Sequence, residues 1–113
     1  MDTLSVFDPQ NNEVFFDTKS IGLAIVNSEL SYNAHDLLKI TLKNPTVILE
    51  GTGGKRNYVF LTKKLDIHTV NVIFKDSIWY AEGLNVEMRR EELVELNNRS
   101  KVIYKRLGWL FYS

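Results

Sequence analysis

Short apolar runs separated by clusters of turn-forming residues dominate this chain, and their spacing predicts most of its elements. Leu4-Ser5-Val6-Phe7 and Val14-Phe15-Phe16 flank the polar stretch Asp8-Pro9-Gln10-Asn11-Asn12-Glu13 and predict an N-terminal hairpin. Residues 21–26 form a third apolar segment, readable as a buried strand or as part of a helix. Ala34, Leu37, Leu38, Thr41 and Leu42 then follow the spacing of one helical face, with cap candidates at Ser31 and Asn33. Asn44-Pro45 stops this helix, because a residue before proline disfavours the helical region.

Beyond it the period changes to that of strands. Thr46 to Glu50 is β-branched and apolar, Gly51 to Asn57 reads as a flexible loop, and Tyr58 to Lys63 as a second strand. Ile67 to Phe74 places His68, Val70, Val72 and Phe74 on one face, and Lys75-Asp76-Ser77 turns the chain into a strand from Ile78 to Glu82. These short connections predict an antiparallel meander. Asn85 is a candidate cap for a second helix from Val86 to about Asn98, whose apolar stripe of Val86, Leu93 and Leu96 is narrow enough to predict a peripheral position. Lys101 to Lys105 reads as a closing strand. The expected fold is a single α+β domain over residues 1–113: a twisted antiparallel sheet, one packed helix and one peripheral helix.

Composition agrees with that size. The 113 residues are 44% hydrophobic and 25% charged, enough for one core and ordinary for a soluble domain. There is no cysteine, which excludes disulfides, thiolate metal sites and a cysteine nucleophile. No signal-like start and no apolar run of membrane-spanning length occurs, so the expectation is a cytoplasmic protein without a membrane partner. The aromatic tail at residues 108–113 suits either a last packed strand or a docking element. Oligomeric state is open.

Charge changes the picture. The formal net charge is zero, but residues 1–50 carry seven acids and three bases, whereas residues 51–113 carry eleven bases and seven acids. The bases concentrate at Lys55-Arg56 with Lys63-Lys64, and at Arg99, Lys101, Lys105 and Arg106. If these converge they make a phosphate-attracting surface; otherwise they are solvated edges that discourage edge-to-edge pairing. Gly51-Thr52-Gly53-Gly54-Lys55 lacks the spacing and the hydroxyl residue of a nucleotide-binding P-loop. The two histidines, His35 and His68, are candidates for acid–base work near neutral pH or for half-buried structural positions. Two histidines with scattered carboxylates make no metal signature, and no cofactor is expected. Among the aromatics, Tyr58 beside Arg56, and Trp79-Tyr80, suit either the core or base stacking.

The order helix, Asn-Pro, strand, basic turn and meander is carried by His35-Asp36-Leu37-Leu38, Leu42 to Glu50, Lys55 to Phe60 and Val70 to Phe74, with Lys101 to Arg106 closing it. Over about residues 31–106 it resembles the barnase–EndoU–colicin–RelE superfamily of small ribonucleases and toxins, in particular the phage-associated branch. The resemblance implies metal-independent RNA cleavage by attack of a 2′-hydroxyl on the adjacent phosphate. It implies His68 or His35 as base or acid and Lys55 as a catalytic cation. Arg56, Tyr58, Lys63 and Arg106 would bind the RNA. Where that branch commonly keeps an Arg, Thr or Ser on a late strand, Ile78 to Glu82 offers only Glu82. The alternative expectation is therefore a non-catalytic protein-binding module on a similar fold, an inhibitor or immunity-type partner of a host or cognate protein.

Overall fold

The computed structural model describes residues 3–17, 34–62, 66–85 and 87–106. The apolar segment 21–26, the cap candidates Ser31 and Asn33, Lys63 and the aromatic tail lie outside the described residues, as does the side chain of His35.

Within them the chain forms β1 (Thr3–Phe7), β2 (Glu13–Asp17), α1 (Ala34–Lys43), β3 (Val47–Glu50), β4 (Lys55–Leu61), β5 (Ile67–Lys75), β6 (Ile78–Asn85), α2 (Arg90–Asn98) and β7 (Lys101–Lys105). The strands make one sheet in the order β1-β2-β6-β5-β4-β3-β7. The α+β class and the meander β3 to β6 agree with the expectation. One pair departs from it: β2 runs parallel to β6, with Val14 beside Trp79 and Phe15 beside Tyr80. That pairing joins distant segments and leaves no local signal.

Turn chemistry accounts for the hairpins. The Asp8 carboxylate accepts hydrogen bonds from the backbone N–H groups of Gln10 and Asn12, at 2.9 and 2.8 Å, and so holds the β1–β2 turn. Gly53 and Gly54 have φ of 72° and 73°, so the β3–β4 turn needs glycine there. Strand β4 consequently begins at Lys55, earlier than the predicted Tyr58. The β5–β6 turn places Asp76 and Ser77 at φ of 55° and 65°, the left-handed pair of a tight hairpin turn. Ser77→Gly is expected to stabilise the fold by about 0.5–1 kcal/mol in urea titration, because glycine removes the Cβ strain; a loss of stability would refute this account.

Strand alternation divides the core in two. On one face α1 lays Leu37, Leu38 and Leu42 against Val14, Phe16, Ile48, Tyr58, Val70 and Val72. Buried Thr41 satisfies its hydroxyl by donating to the Leu37 carbonyl at 2.7 Å. On the other face α2 buries Leu93 and Leu96 against Val47, Leu49, Val59 and Ile67. The stripe on α2 is as narrow as the sequence implies, yet Leu93 is wholly buried, so this helix roofs half of a sheet face. The helix also starts later than predicted. Asn85 ends β6, its side-chain oxygen accepting the Glu87 N–H, while Arg89 and Glu92 form the helix cap.

Two bulges shape the sheet. Glu82 is the extra residue of β6 opposite Asn71/Val72, and Ile103 that of β7 opposite Ile48/Leu49. The Ile103 carbonyl accepts a 2.8 Å hydrogen bond from the side-chain amide of Gln10, in the β1–β2 turn. The sheet therefore curls around the α1 core until its two ends touch.

Candidate nucleic-acid interface

The residues expected to bind or cleave RNA fall in three places. Arg56 and Tyr58 point into the α1 face. The Arg56 guanidinium lies 4.0 Å over the Trp79 ring and pairs with the Glu50 carboxylate at 3.3 Å. Its Nη1 is buried and has no hydrogen-bond partner among the described residues. Tyr58 is wholly buried and donates its hydroxyl to Asp8 at 2.5 Å. Burial, then the Asp8 hydrogen bond and charge, push the Tyr58 phenol well above its ordinary range, while Arg56 pulls the other way. Tyr58 fastens the N-terminal turn to the sheet, and Arg56 is engaged by Glu50 and Trp79 within it.

His68 shares the face of Val70 and Val72, as its register predicts, but that face is the covered one and His68 is only 3% exposed. Its ring lies near-parallel to Phe60, centroids 6.5 Å apart. The Arg106 guanidinium stands 5.9 Å from the Phe60 ring, and Arg106 donates to the Thr46 hydroxyl and the Asn44 carbonyl. Arg106, Phe60 and His68 thus gather at one end of the sheet. His35 belongs to the first turn of α1.

Lys55 is exposed and neighbours Arg56 along β4, so it emerges on the opposite face. Phe60 pairs with His68, so Lys55 lies five residues, roughly 17 Å, along the strand from the level of His68. A base at His68 and a cation at Lys55 cannot serve one phosphate. The two basic concentrations meet in one row, where Lys101 and Arg56 flank Glu50, and the carboxylate pairs with Arg56.

The second face offers more. Beyond the roof of α2, the register aligns Ser5, Phe15, Tyr80, Ile73 and Lys55 in one row across five strands. Tyr80 is 38% exposed, and its ring and that of Phe15 lie 6.0 Å apart at 41°. Lys75 and Ile78 begin the next row. On the other side, between this row and α2, lies a cleft of about 340 Å³. Asn57, Thr69 and Asn71 line its floor, and Glu92, Glu95 and Arg99 its helical wall. The Glu92 carboxyl is held below its usual range by hydrogen bonds from the Arg89 side chain and backbone.

Sequence reasoning singled out Tyr80 and Lys55 but missed Phe15 as their neighbour, because the parallel β2–β6 pairing joins them. It also passed over the asparagines, although polar Asn57 and Asn71 interrupt apolar strands in a way that marks an open face. Comparison of the chain with protein-family models, with curated proteins and with solved structures finds no match.

Proposed function

We propose that this domain binds single-stranded RNA on the open face of its sheet and does not cleave it with the residues expected to do so. The observation that carries the reading is the row Phe15–Tyr80–Ile73–Lys55: two aromatic rings on adjacent strands where neither described helix covers the sheet, with a lysine in line. Unstacked bases lie against such rings, and Lys55 and Lys75 neutralise backbone phosphates. A neutral protein uses a local cationic flank of this kind for modest, salt-sensitive affinity. The ribonuclease chemistry would need its base, acid and cation around one phosphate, and neither His68 nor Arg56 is presented to this face.

Fluorescence anisotropy with a labelled single-stranded RNA oligomer tests the reading. Tyr80→Ala is expected to weaken binding by about 5- to 150-fold, the worth of one stacked base, and Lys55→Ala to flatten the dependence on salt. Binding indifferent to Tyr80→Ala would overturn it. Incubation with tRNA is expected to leave the RNA intact; cleavage that disappears in His68→Ala would restore the nuclease reading.

A further inference from the structure

We propose that the cleft beneath α2 receives one unstacked base of the same RNA strand and selects bases that carry an exocyclic amino group over uracil. This rests on the RNA-binding reading and adds what the strand is read by. Asn57 and Asn71 are cross-strand partners whose carboxamides line the cleft floor side by side. Neither amide has a hydrogen-bond partner among the described residues. Each carboxamide offers one donor and one acceptor, the pattern that matches a base edge.

The wall decides which base. Glu92 is engaged by Arg89, but Glu95 forms no ion pair among the described residues. A carboxylate accepts from the amino group of adenine or cytosine and repels the carbonyl oxygens of uracil. Arg99, at the same wall, supplies the cation for the flanking phosphate. The asparagine row lies two residues from the Tyr80 row, about 7 Å along the strands, close enough for one splayed strand to occupy both.

The test uses labelled oligo(A), oligo(C) and oligo(U) of equal length, with wild type and three variants. Oligo(A) and oligo(C) are expected to bind about 5- to 150-fold more tightly than oligo(U). The double variant Asn57→Ala with Asn71→Ala is expected to erase that preference. So is Glu95→Ala, which removes the carboxylate from the wall at an exposed position; circular dichroism checks that both remain folded. Tyr80→Ala is expected to weaken all three oligomers alike. Equal affinity for the three, or a preference that survives Glu95→Ala, would overturn the inference while leaving the stacking surface standing. Binding of none of them would remove both readings.

Discussion

Leu93→Ala is expected to destabilise the fold by about 2–5 kcal/mol, the usual range for truncating a fully buried leucine. The transfer of a few methylene groups to water is only part of this. Leu93 sits where α2 meets Val47, Leu49 and Val59, so the helix cannot drop into the vacancy without straining its start, where the Met88 N–H donates to the Ile67 carbonyl of β5 at 3.0 Å. Domains of this size have about 5–15 kcal/mol to lose, and the melting temperature should fall by roughly 10–20 °C. Val94→Ala, one residue along and 38% exposed, is the control and should shift stability by about 0.5 kcal/mol or less. Equal effects from the two variants would mean that α2 does not roof the sheet.

Tyr58→Ala should cost about 3–5 kcal/mol, since it empties the centre of the α1 core and removes the bond that ties Asp8 to β4. Tyr58→Phe separates the two contributions. It keeps the ring and should cost only about 1–2 kcal/mol, because Asp8 still accepts from Gln10 and Asn12. The pair also differ in pH dependence. The folded protein holds the Tyr58 proton above its ordinary value, whereas the unfolded chain releases it near pH ~10. Stability from this group is therefore complete below pH ~10 and falls above it by about 1.4 kcal/mol per pH unit. Urea titrations at rising alkaline pH should show that slope in wild type and not in Tyr58→Phe. Parallel slopes would contradict the burial of this phenol.

The parts of the fold legible in the chain are those whose cause is local. Asp8-Pro9, Asn44-Pro45 and Asp76-Ser77 each act within a few residues, and the hairpin, the end of α1 and the β5–β6 turn fall where they imply. Alternation in β5 also placed His68 correctly beside Val70 and Val72. What alternation cannot say is which face a helix will cover, and that decided whether His68 meets solvent. Lys55 and Arg56 illustrate the same limit at the candidate site. They read as one basic cluster in the chain, yet adjacent strand residues point apart, and Glu50 neutralises one of them. The row from Phe15 to Lys55 depends on a parallel pairing between segments that no short turn connects.

The Gln10–Ile103 hydrogen bond joins residues 93 positions apart. Closing a chain segment of that length costs about 4 kcal/mol of entropy, more than one such bond returns. It therefore cannot guide folding. The four-strand meander, built from neighbouring segments, has the low contact order that favours early formation. The N-terminal hairpin then docks on a surface already made, and the curl closes last. Run backwards, this order makes the hairpin turn the place where the native protein opens first, and amide hydrogens there should exchange with solvent well before those of β5.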